Sequence, residues 1–97
     1  MGFFGSFFGG IKYSQTEHYL SEIEIRKLVS TIHVNTLKQG EGSLVEEAII
    51  TRRHGDGKIS LQQIYETLTK LKNQHKISVQ DREGLMREFQ QHYGDKP

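Results

Sequence analysis

The stretch RRHGDGKISLQQIYETLTKL, residues 52–71, decides the fold. It joins a glycine-bearing turn to the cleanest amphipathic stripe in the chain. After Ser60, the residues Leu61, Ile64, Tyr65, Leu68 and Leu71 recur at helical spacing. Ser60 stands three residues before Gln63. Its hydroxyl can accept from a free amide of the first helical turn, while the Gln63 side chain reaches back to the Ser60 amide.

The same punctuation recurs along the chain. Ser21 precedes Glu24, Ser43 precedes Glu46 and Ser78 precedes Asp81, each by three residues. An apolar stripe follows each serine: Ile25, Leu28, Val29 and Ile32; then Leu44, Val45, Ala48 and Ile49; then Val79, Met86, Phe89 and Tyr93 with Leu85 beside them. The spacing predicts four helices near residues 17–38, 44–53, 61–73 and 79–93, with Thr16 and Glu17 offering the first an earlier cap than Ser21. Breaks fall at QGEG (39–42), HGDG (54–57) and NQHK (73–76). Loops this short favour close packing of successive helices. The expected fold class is all-α, a small four-helix domain over residues 14–97, preceded by a Phe/Gly-rich tail over residues 1–13.

Composition narrows the function. The chain has 97 residues, 34% hydrophobic and 26% charged, as expected of one small soluble domain. It has no cysteine, which excludes disulfides, thiolate metal sites and cysteine nucleophiles. No window approaches the ~20 apolar residues that span a bilayer, and no secretory signal pattern is present. A cytoplasmic location is expected. Net charge is only +1. The middle is mildly basic, since residues 52–76 carry Arg52, Arg53, Lys58, Lys70, Lys72 and Lys76 against Asp56 and Glu66.

The centre of the opening stretch resembles an EF-hand loop. With Gly57 at the sixth place of a twelve-residue loop, Asp56 falls fifth, Lys58 seventh with its carbonyl, Ile59 eighth and Ser60 ninth, and LQQIYETLTKL follows as an exit helix. The resemblance covers one helix-loop-helix over residues 44–73. It implies a calcium-sensing relative, with Asp56, Lys58 and Ser60 as the donors retained. The outer places depart from the pattern: Arg52 stands first, His54 third and Gln63 twelfth, where the family uses carboxylates or amide oxygens and a bidentate glutamate. No metal and no cofactor are therefore expected. An anion drawn to Arg52, Arg53 and Lys58 suits the loop's charge better than calcium.

Other chemistry finds little footing. The five histidines are scattered, with no pair at helical ligand spacing. Gly55 and Gly57 suit a turn better than a phosphate cradle. No catalysis is expected. Residues 61–93 could mimic a helix-turn-helix, but the last helix mixes Asp81, Glu83 and Glu88 with Arg82 and Arg87, so nucleic acid is not an expected partner.

The segment MGFFGSFFGG places four of the five phenylalanines within the first eight residues. Glycines between them disfavour a helix, and a flexible tail is expected. Phe3, Phe4, Phe7 and Phe8 suit docking to another protein or to a membrane surface. Met1, Gly2 and Ser6 also fit a loose N-myristoylation pattern. Ile23, Val34 and Leu37 lie opposite the main stripe of the first helix and suggest a second apolar face. The chain is therefore expected to be a small non-enzymatic interaction or adaptor module, with self-association as one mode. A calcium-sensor relative and a small nucleic-acid binder are the alternatives.

Overall fold

The computed structural model describes residues 12–33 and 40–94. The elements run β1 (Glu17–Tyr19), α1 (Glu22–His33), α2 (Glu41–Arg52), β2 (Lys58–Ser60), α3 (Leu61–Asn73) and α4 (Val79–Gly94). Four helices form the described part, and the all-α expectation holds with one addition. Strands β1 and β2 pair antiparallel, with Glu17 opposite Ser60, His18 opposite Ile59 and Tyr19 opposite Lys58.

The strand corrects the expected start of the first helix at residue 17. Ser21, not Thr16, caps α1. The Ser21 amide donates to Glu24 Oε1 at 2.9 Å, and the Glu24 amide donates to Ser21 Oγ at 3.1 Å. Residues 17–19 instead satisfy backbone groups against β2, and the Leu20 amide donates to the Gly57 carbonyl. The predicted end of this helix, near 38, lies outside the described residues.

The second helix also starts earlier than its serine suggests. Gly40 precedes α2 with φ 95°, a conformation that favours glycine. The Leu44 amide already bonds to the Gly40 carbonyl, which leaves Ser43 inside the first turn rather than at a cap. Ser60 and Ser78 behave as their spacing predicts. Ser60 and Gln63 close a reciprocal capping box on α3. Ser78 and Asp81 do the same on α4, at 3.0 Å in both directions.

The stripes converge on one core. Ile25 and Val29 of α1, Val45 and Ile49 of α2, Ile64 and Leu68 of α3, and Leu85 and Phe89 of α4 are all fully buried. Leu20 and Ile59, beside the strand pair, are buried with them. The loop NQHK reverses the chain after α3 through a left-handed residue, His75 at φ 61°. Its amide donates to Lys72 O, and the Lys76 amide donates to Leu71 O, so two carbonyls at the helix end are satisfied.

Candidate interaction surfaces

The loop at residues 52–60 is tied to β1 from both sides. Asp56 Oδ1 accepts from the Lys58 amide at 3.2 Å, the Lys58 carbonyl accepts from the His54 amide, and Ser60 Oγ accepts from Gln63. Thus each donor oxygen retained from the calcium pattern already takes a local hydrogen bond. Gly57 sits at φ 82°, and a Cβ there would meet the Tyr19 ring at 2.6 Å. His54 and Gln63, the third and twelfth loop residues, meet on one atom. Glu17 Oε2 lies 2.7 Å from His54 Nε2 and accepts from Gln63 Nε2 at 3.1 Å. A carboxylate contributed by β1 therefore bridges the two ends of the loop. Among the described residues, no group of three or more His, Asp or Glu side chains is placed to hold a metal.

The two neighbouring arginines face different surroundings. Arg53 is largely enclosed: its guanidinium donates to the Leu20 carbonyl at 2.9 Å and to the Ile50 carbonyl, and approaches Glu22 at 3.6 Å. Arg52 is exposed and lines the groove between α2 and α3. Lys58 is exposed on β2. Arg53 is thus committed to the β1–α1 junction, away from any shared use with Arg52.

Ile23 is 71% exposed on α1, and Tyr19 at the end of β1 is 57% exposed. The other residues expected to form contact surfaces, Phe3, Phe4, Phe7, Phe8, Val34 and Leu37, lie outside the described residues.

A second surface was not visible in the sequence. A groove of about 950 Å³ runs between α2 and α3. Leu44, Ala48, Thr67 and Leu71 lie along it, and its charged residues include two acids, Glu47 and Glu66, and two bases, Arg52 and Lys70. Leu71 is buried, and Leu44 and Ala48 pack partly against the core. This size suits a drug-sized ligand or a short peptide segment. It lies between two helices joined by the 53–57 loop, and helical periodicity carries no signal for their relative placement.

The segment before β1 is pinned beside this groove. Gln62 is 3% exposed. Its Oε1 accepts from the amides of both Lys12 and Tyr13, its own amide donates to the Ser14 carbonyl, and its Nε2 donates to Glu66. Tyr13 packs on Tyr65 with ring centroids 5.2 Å apart, and the Lys12 ammonium lies over the same ring. On the α4 side Arg82 covers the Tyr65 ring and donates to Thr69 Oγ1.

Tyr93 and His92 tie α4 to the rest of the fold. Tyr93 donates to the Ile59 carbonyl at 2.7 Å and meets His18 edge-on. Burial, reinforced by the negative charge of Glu24, pushes its phenol well above the usual tyrosine range. His92 Nε2 approaches Glu24 Oε2 at 3.2 Å, bringing α4 to the cap of α1. No helix among the described residues is long and apolar enough to cross a membrane.

Compared with family models, curated proteins and solved structures, the chain matches none.

Proposed function

We propose that this chain is a small non-enzymatic protein–protein interaction module, an adaptor that contacts a partner through its Phe-rich N-terminal segment and the outer face of α1. The observation that carries this reading is Ile23, a large aliphatic side chain 71% exposed on a helix whose opposite face buries Ile25 and Val29. Exposed Tyr19 lies just before it, and the phenylalanines at 3, 4, 7 and 8 add apolar contact area from the same end of the sequence. A few well-buried anchors, large aromatic ones foremost, carry most of the energy in typical interfaces.

The test compares full-length chain, Ile23→Asp and a deletion of residues 2–10 in quantitative pull-downs from the native cell. The same co-purifying protein should be depleted by either change, with helicity preserved. Unchanged recovery with both variants refutes the reading. A calcium-sensor role would show itself separately, as calcium-dependent amide shifts around Asp56 and Gly57.

A further inference from the structure

The groove between α2 and α3 has a candidate occupant within the chain itself. Traced backwards in sequence, the segment before β1 follows α3 from its start towards its end. Glu17 lies opposite Ser60, the Ser14 carbonyl bonds to the Gln62 amide, and Lys12 reaches the Tyr65 ring. Lys12, the first described residue, stands at that point. On one side Arg82 closes the way by covering Tyr65 and bonding Thr69. On the other side stands Glu66, which is held by Gln62 and is itself a wall of the groove.

Distance agrees with direction. From Tyr65 to Gln74 the helix rises about 13 Å at its usual pitch. Four extended residues, the separation of Lys12 from Phe8, span at most about 13–14 Å. Charge agrees as well. MGFFGSFFGG carries no charged side chain. The groove offers it partly buried Leu44 and Ala48 and buried Leu71, and the two acids and two bases named along it balance.

We infer that Phe7 and Phe8 dock in cis into the groove between α2 and α3 of their own chain. This rests on the reading of the tail as a docking element and adds where it resides when no partner holds it. The short connection to Lys12 gives the tail a high effective concentration at the groove, so an external partner must compete for the phenylalanines.

The chain lacks cysteine, so a single nitroxide can be placed at Gln74→Cys, at the exposed end of the groove, in the full-length protein. The amide signals of Phe7 and Phe8 should lose most of their intensity with the label oxidised and recover it on reduction. Unchanged intensity overturns the proposal. Loss of signal in isotope-labelled chains mixed with separately spin-labelled ones would place the tail in a second copy and overturn docking in cis. Phe7→Ser with Phe8→Ser, which leaves the described core untouched, should shift the amides of Ala48, Thr51 and Leu71. No shift there overturns the proposal too. Thr67→Arg should abolish the intensity loss by filling the groove. Loss that persists in a folded Thr67→Arg chain would show that the groove does not hold the tail. Partner recovery in the pull-down is read independently, so cis docking can fail while the adaptor role stands, and the reverse.

Discussion

At the scale of single residues, Tyr93 and His75 carry costs that can be measured. The Tyr93 phenol is held protonated by burial and by Glu24. Its pKa is raised in the folded chain, so its contribution is fully present below the unfolded tyrosine value of about 10. It is lost as pH rises beyond that, because the unfolded state then releases a proton that the folded state retains. Tyr93→Phe should cost about 1–2 kcal/mol near neutral pH, since the Ile59 carbonyl loses its donor. The gap to the parent should narrow above pH of about 10. Urea midpoints across the pH range check this, and parallel curves would contradict it. His75 occupies a left-handed position where an L-residue costs about 1 kcal/mol. His75→Gly should therefore stabilise the domain by about that amount in chemical denaturation.

At the scale of elements, the capping serines divide into two kinds. Ser60→Ala removes a capping-box acceptor and should cost about 0.5–2 kcal/mol, whereas Ser43→Ala should be near neutral. Thermal melts of the pair test the contrast directly. The serine spacings at 21, 60 and 78 were legible because a cap is a local contract between residues three apart. Ser43 misleads because Gly40 turns the chain earlier, and nothing local to Ser43 reveals that. Strand β1 was illegible for a different reason. Its three residues, Glu17 to Tyr19, are too few to show alternation, and their partners lie about 40 residues away. The EF-hand-like centre was likewise local and readable, but its bridging carboxylate comes from β1 and belongs to no motif spacing.

At the scale of the molecule, the core was readable as stripes and the surfaces were not. Ile23 could be singled out from its helix face alone, and it is exposed. The groove requires the placement of α2 relative to α3, which no spacing within either helix encodes. Val34 and Leu37, which would extend the face of Ile23, fall outside the described residues. Gln62 illustrates the gap most plainly: it reads as a polar position on an amphipathic helix, yet it is buried and binds three main-chain groups of the segment before β1.

That segment also has a place in time. Pairing β1 with β2 closes a loop of about 40 residues, and closure entropy grows with loop length. Contacts between helices adjacent in sequence, such as α3 with α4, need far shorter closures and should form first. The strand pair is expected to form after the rate-limiting barrier. His54→Ala, which removes one of the two side chains that hold Glu17 to the loop, should speed unfolding and leave the folding rate almost unchanged in stopped-flow chevrons. An equal slowing of folding would place the pair in the nucleus. If β1 is the last element to arrive, it is also the first to leave. The segment between the phenylalanines and α1 would then detach while the helices remain assembled, a route that would loosen the proposed docking without global unfolding.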